Sequence, residues 1–533
     1  MKIEKLTISA LKEGYAKGTF TPLEVCETIV ERAQMTKEKN IWIKAPQMTA
    51  IKPYLEALEK KDKELPLWGI PFAIKDNIDL NGVETTAGCE NYAYMPEEDA
   101  TVVHLLIEAG AIPVGKANLD QFATGLVGTR SLYGETHNAL KPELISGGSS
   151  SGSAVAVALG QAAFSLGTDT AGSGRVPAAL NNLVGYKPSL GAWSTKGVVP
   201  ACASLDCVTV FTHNLEDAER VDQVVRKYDE KCPWSKEVKE VKETIPKKVC
   251  IPKTALTFYG PYKEAYKKGW ENAKKRLYRL GIEVEEIDYS IFSEAASILY
   301  DGPWIAERWA ALGQFIEENQ GKTMVPVTEK ILRSGHKEEL KAEDVFKAMH
   351  RLAEIKAKVK ILLKDAILLM PTAGGTYLRE EVDSDPIQTN SNMGLYTNHC
   401  NLLDLCALDF PSDFIGENLP FGLTAFALRE EEGLNLGFAR MYALTQKEEL
   451  KKEQIQNTYE KERTKIAVCG LHMRGFELEH QLTDLGGIFE SEEVTAPLYK
   501  MYELSGTVKK PGMVRVNEGG KSLKVERKNI GKL

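Results

Sequence analysis

The sequence predicts an α/β fold, a central mixed β-sheet covered by helices, followed by a small C-terminal α+β domain. Two observations predict the first part. From Leu67 to about Val210 short apolar runs alternate with helix-like stretches, and the alternation resumes at Lys248 and continues to Leu428. Runs of that length fit buried strands, and the stretches between them fit helices laid over a sheet. The third observation is a break in composition: Glu448 to Lys465 is so rich in Lys and Glu that it reads as an exposed helix or linker marking a boundary. The chain thereby divides into an N-terminal helical region over 1–65, a core over 66–447, a charged linker over 448–464 and a C-terminal piece over 465–533.

Taken in order, Leu6 to Lys12 and Thr21 onward read as helices packed on the outside of the core, with Thr21 before Pro22 as an N-cap and first-turn pair. Gly69 to Ile74, Ile112 to Val114 and Leu205 to Val210 are strand-like, while Ala100 to Ala109 and Leu215 to Val225 carry helical spacing. Beyond a charged connection at Lys236 to Lys248 come a strand at Lys248 to Pro252, a basic amphipathic helix at Tyr262 to Leu280 capped by Gly281, and a strand at Glu283 to Asp288. A long helix over 338–364, a buried strand at Ala366 to Pro371, and Leu402 to Phe410 with Phe421 to Leu428 complete the core. Lys465 to Gly470 opens the C-terminal piece as another strand.

With 533 residues, 43% of them hydrophobic, the chain can fill a large core. A net charge of −8 gives no electrostatic reason to expect nucleic acid or an acidic membrane surface as partner. The nine cysteines are scattered without a C-x-x-C pair, which fits small core residues in a reducing compartment and argues against zinc. The first residues hold no apolar signal-like segment and no 18-residue apolar run occurs, so the expectation is a cytoplasmic protein with no membrane partner.

The stretch from Ile145 to Pro177 sets two Gly/Ser clusters around a small apolar segment, Ala154 to Leu159, that reads as a buried helix or strand. The serines therefore sit at the edge of a core, where glycines let a backbone come close to a bound group and leave amide N–H groups for a developing negative charge. Three mechanisms could use such a loop. A phosphate cradle finds its nearest match at Gly110 to Lys116, but Ala117 replaces the magnesium-binding hydroxyl and the segment reads as the C-cap of a helix. Gly148-Ser-Ser-Ser-Gly152 fits a nucleophile elbow centred on Ser150, and six of the eight histidines lie downstream, so position does not exclude it. The third reading pairs the serines with Lys75, which ends the apolar run Gly69 to Ile74; a lysine carried into a core is a candidate neutral base, and a strand-end lysine in water is the alternative.

At this point the sequence resembles the amidase signature family. Gly147-Gly-Ser-Ser-Ser-Gly152 followed by Gly167-Thr-Asp-Thr-Ala-Gly-Ser-Gly174 is its signature, and the match runs from about Leu67 to Cys207. The resemblance implies a triad of Lys75, Ser149 with an unusual cis peptide, and the nucleophile Ser173, at separations of 74 and 24 residues. It also implies an oxyanion hole from the backbone N–H groups of Thr170, Ala171, Gly172 and Ser173, and it makes Ser150, Ser151 and Ser153 structural. Neither metal nor organic cofactor is implied.

Four further segments look like allophanate hydrolase: Asn118 to Ser131, Gly197 to Cys207, Leu299 to Arg308, and Val468 to Gly475. That resemblance implies a small anionic amide as substrate, urea-1-carboxylate, with its carboxylate held by Tyr300 and Arg308. The bland alternative for Arg308 is a surface ion pair, but three and four residues before it stand Ile305 and Trp304. Arg130 and Arg175 are weaker candidates, Arg175 as a brace of its own loop, and His213 and His399 read as structural. A urea carboxylase is the implied functional link, and a homodimer is compatible with the resemblance. His472 is the candidate for a second site, beside Arg474, that handles decarboxylation of the first product; the residues after Lys465 are fewer than such domains usually carry, so a shortened domain is expected. The competing functions are the amidase component of a tRNA-dependent amidotransferase, a general small-amide amidase, and a non-catalytic scaffold.

Overall fold

In the computed structural model the apolar runs become strands of one eleven-stranded sheet. Residues 6–300, 302–319, 324–416, 418–461, 464–485, 487–504 and 510–530 are described. In chain order the strands are β1 (Trp42–Lys44), β2 (Pro71–Lys75), β3 (Ile112–Ala117), β4 (Phe164–Asp169), β5 (Val184–Lys187), β6 (Cys207–Thr212), β7 (Lys248–Pro252), β8 (Glu283–Ile287), β9 (Ala366–Pro371), β10 (Leu405–Ile415) and β11 (Leu419–Leu428). Their spatial order is β1-β3-β2-β4-β6-β5-β10-β11-β9-β7-β8. β2 runs parallel to β3 and β4, and β7 runs parallel to β8 and β9. Antiparallel pairs such as β4 with β6 and β10 with β11 make the sheet mixed. Every residue of β2, β4, β5, β6 and β9 is buried, which is why β9 reads as a continuous apolar run, whereas β4, β5 and β6 carry polar residues such as Ser165, Lys187 and Thr209 into the interior.

The helices follow local chemistry. Pro22–Met35 starts with a full capping box, in which the Thr21 hydroxyl accepts from Glu24 N–H while the Glu24 carboxylate accepts from Thr21 N–H. The segment ambiguous between helix and strand is the helix Ser151–Ala158, whose small residues are nearly all buried where it packs against β2, β3 and β4. Helix Thr101–Glu108 ends before Gly110, whose φ of +91° and closeness to Trp68, 2.8 Å from where a Cβ would stand, leave room for glycine alone. The N-terminal region holds more than helices: β1 pairs antiparallel with β3 at the sheet edge. Three residues are too few to leave a readable period.

The chain divides into two units, Met1–Ala443 and Leu444–Leu533. The charged stretch, as far as Lys461, lies in the helix Glu432–Lys461. The second unit is strand-rich, with β12 (Thr464–Val468), β13 (Ile488–Val494), β14 (Tyr499–Leu504), β15 (Lys510–Arg515) and β16 (Lys524–Ile530). β16 lies between β12 and β13, β14 pairs with β15, and His480–Thr483 is a short helix. Its interior includes charge, since Glu526 and Lys528 are buried and Lys528 Nζ lies 3.4 Å from a Glu479 oxygen. Among the described residues no helix is long and apolar enough to cross a membrane.

Candidate active site

Parallel pairing brings the ends of β2 and β4 together, the side of an open sheet where ligands bind. Lys75 is the last residue of β2, and its register neighbours place it beside Gly167 and Thr168 of β4. Its amine is fully buried and donates to Ser149 Oγ at 2.8 Å and to Thr168 Oγ1 at 2.7 Å. Burial pushes that amine down to about 7, against the pull of the Asp120, Asp206 and Asp169 carboxylates. The strand-end lysine in water is thus excluded. The Gly148–Ser149 peptide is cis, and Asp120 supports it closely: Ser149 O accepts from Asp120 N–H at 3.0 Å, while a Cβ on Gly148 would stand 2.0 Å from Asp120 Oδ2.

Ser173 lies in the loop after β4, 3% exposed, and its hydroxyl makes no hydrogen bond within the chain among the described residues. The loop is tied down by Asp169, whose carboxylate accepts from Gly172 N–H at 2.9 Å, Gly174 N–H at 3.0 Å, and both Arg175 Nε and Nη2 at 2.9 Å. Burial alone would raise this carboxyl, but the charge and hydrogen bonds of Arg175 hold it below the usual range. Arg175 is therefore the brace of its own loop. The Gly172 N–H, anticipated as an oxyanion donor, points at Asp169 Oδ1 in this structure. The Ala171 and Ser173 N–H groups have no protein acceptor among the described residues.

The other serines answer the competing readings. Ser150 Oγ, the centre of the elbow, donates to Thr168 O at 3.2 Å, Ser153 Oγ donates to Leu166 O at 2.9 Å, and Ser151 Oγ shares a 3.1 Å hydrogen bond with Thr136 Oγ1. All three join the Gly/Ser segment to its neighbours. Lys116, which a phosphate cradle would need in the open, is buried with its Nζ 3.2 Å from Asp76 Oδ1.

Arg308, on the helix Ile305–Glu318, is 1% exposed, and its Nη1 donates to Thr124 Oγ1 at 3.0 Å. A surface ion pair is thereby excluded. Thr124 also lines a cavity of about 350 Å³ shared by Gly125, Arg130, Asn390 and Asn398. A larger groove of about 750 Å³ between residues 239–247 and 430–434 contains none of the candidate residues. Tyr300 ends the helix Ser290–Tyr300, and its side chain lies outside the described residues. His399 is fully buried and hydrogen-bonded through Nδ1 to Tyr289 at 3.2 Å, with burial pushing it down to about 3. In the C-terminal unit, His472 Nε2 meets Gln481 Oε1 at 3.1 Å, whereas Arg474 is engaged by Glu526 at 3.1 Å and Glu492 at 2.8 Å.

Sequence reasoning missed Thr168, Asp169, Asp206 and Glu307. The first two stand inside the Gly167 to Gly174 signature, so their position was visible but their partners were not. Asp206 is buried, which pushes its carboxyl up to about 6; it accepts from Thr170 Oγ1 at 2.5 Å and from the Ala201 and Cys202 N–H groups. Nothing local in the sequence marks Glu307 as a partner of Ser204.

The amidase family profile matches residues 24–436, and the profile of the allophanate hydrolase C-terminal domain matches residues 464–531. Urea amidolyase of Saccharomyces cerevisiae is 38% identical over 96% of this chain, which spans 29% of that longer protein. A glutamyl-tRNA(Gln) amidotransferase component of Lactobacillus acidophilus is 32% identical over 80% of this chain and 93% of its own length. Among solved structures, Kluyveromyces lactis allophanate hydrolase superposes with a TM-score of 0.77 at 36% identity, covering 98% of this chain and 89% of that one.

Proposed function

The chain belongs to the amidase family, as an allophanate hydrolase-like member related to urea amidolyase, and on that premise we propose that it hydrolyses allophanate through Lys75, Ser149 and Ser173. The observation that carries the reading is the buried Lys75 amine, held at 2.8 Å from Ser149 with its pKa at about 7. As a neutral amine it accepts the Ser149 proton while still donating to Thr168, and Ser149 takes the proton of Ser173 as the Ser173 oxygen attacks the carboxamide carbon. The Ala171 and Ser173 N–H groups receive the charge that forms on the carbonyl oxygen, joined by Thr170 N–H. When the C–N bond breaks, the proton returns through Ser149 to the leaving nitrogen, which departs as ammonia. Water then attacks the acyl-enzyme by the same relay and frees Ser173. The product, an amine nitrogen bearing two carboxylates, loses carbon dioxide, a step that the family resemblance connects with His472.

The carboxylate of the substrate falls to Arg308, with Tyr300 as its companion. A guanidinium grips a carboxylate with two parallel hydrogen bonds, which lysine cannot reproduce. A urea carboxylase would supply the substrate, and its relation to this chain is a proposal from relatives of which the chain spans about three-tenths. The match over 464–531 favours this reading over an amidotransferase component. Ammonia release measured on allophanate, malonamate and glutamine tests it. The expected result is turnover of the first two and none of glutamine, with Arg308→Ala raising KM for allophanate about tenfold or more while a neutral short amide is little affected. Equal losses on charged and neutral amides would refute the carboxylate role, and preference for glutamine would refute the substrate.

A further inference from the structure

The loop 201–206 carries two acid-based ties. On one side Asp206 accepts from Thr170 Oγ1 at 2.5 Å, fixing the loop to the segment that leads to Ser173. The same carboxylate takes the Ala201 and Cys202 N–H groups at 2.8 and 3.0 Å, so it also sets the shape of the loop itself. On the other side Glu307 reaches from the helix Ile305–Glu318 and accepts from Ser204 N–H at 2.7 Å, Ser204 Oγ at 2.6 Å and Cys202 Sγ at 2.9 Å. Arg308 is the next residue on that helix, and its charge also acts on Asp206. Adjacent helical residues point about 100° apart, so a helix fixed through Glu307 has its rotation set, and with it the direction in which Arg308 projects. A carboxylate that satisfies three donors at once holds orientation far better than a single contact.

We propose that Glu307 is a positioning residue for substrate recognition, locking the helix that carries Arg308 onto the nucleophile segment through Ser204, Cys202 and Asp206. It rests on the assignment of Arg308 to the substrate carboxylate. Glu307 touches no substrate; it sets the distance between the group that holds the carboxylate and the serine that attacks the carboxamide. An anionic amide must bridge the two and feels an error in that distance, whereas a neutral short amide uses only the serine end.

The test is steady-state kinetics of the full chain on allophanate and on a neutral short amide. The variants are Glu307→Ala, Glu307→Gln, Ser204→Ala, Arg308→Ala and the double variant Glu307→Ala/Arg308→Ala. Glu307→Ala is expected to raise KM for allophanate roughly tenfold, because a misdirected Arg308 forfeits its charge-assisted hydrogen bonds to the substrate carboxylate, and to change kcat/KM on the neutral amide less than about threefold. Glu307→Gln keeps an acceptor for the Ser204 N–H and should recover most of the loss, while Ser204→Ala should show a smaller rise in the same direction. In the Arg308→Ala background, removing Glu307 should cost nothing further, because a residue that acts through another loses its effect when the other is gone. Equal losses on both substrates, or a full Glu307→Ala effect without Arg308, would overturn the proposal. So would a normal Arg308→Ala response together with unchanged KM in Ser204→Ala and Glu307→Ala. If Arg308→Ala itself left KM for allophanate unchanged, the carboxylate assignment would fail first and take the proposal with it. Should Glu307→Ala fail to fold, Ser204→Ala and Glu307→Gln decide the same question from milder changes.

Discussion

Lys75 is suited to the proposed role of base because the fold desolvates it more than the nearby carboxylates restore it, leaving its amine at about 7 where an exposed lysine would sit above 10. Two consequences have opposite signs in use. In the proposed mechanism the neutral form is the active one, so kcat/KM on a neutral amide should fall about tenfold per pH unit below about 7 and level off above it; a rate independent of pH between 5 and 8 would contradict this. In stability the unfolded chain binds more protons than the folded one between about 7 and 10, so burying this lysine penalises the fold fully below 7 and the penalty fades as pH rises. Lys75→Met should therefore raise Tm most near pH 6 and least near pH 10, which calorimetry at several pH values would check. The spacing of Lys75, Ser149 and Ser173 was legible because a specific motif carries it. Thr168 as a second acceptor for the amine, and Asp169 as the competitor for the Gly172 N–H, were not, because each depends on which strands become neighbours.

Secondary structure was legible where a local device sets it. The Thr21 capping box closes on itself within four residues, and removing it by Thr21→Ala should cost about 1 kcal/mol in urea denaturation with kcat unchanged. A loss of activity equal to the loss of stability would mean that this helix supports the site more directly than its position indicates. The basic helix Lys263–Arg279 and the strands β7 and β9 were equally plain, since each has a clear period or a run of apolar residues between breakers. By contrast β1 is three residues long, and the far ends of β10 and β11 carry Ser412, Asp413 and Pro420 into the ladder, residues that read as loop until a partner strand is known. The same limit hid Glu307, whose partners lie more than a hundred residues away in sequence.

Across the whole chain, one sheet collects strands from residue 42 to residue 428, so the two ends of the amidase core fold together even though the candidate triad comes from the first half alone. The C-terminal unit has its own strands and its own buried charges, and its match to the allophanate hydrolase C-terminal domain gives it a separate role to test. Truncation after Lys461, with ammonia and carbon dioxide followed separately, should retain the first ammonia equivalent and lose or slow the second. Unchanged yields of both would make this unit structural, or show that the intermediate breaks down unaided. The central claim, that Ser173 is the nucleophile of an allophanate-cleaving amidase, is met most directly by comparing ammonia release from allophanate by the unaltered chain and by Ser173→Ala, with folding verified by circular dichroism. The expected result is rapid release by the first and none above background by the second; near-normal release by Ser173→Ala would contradict the account.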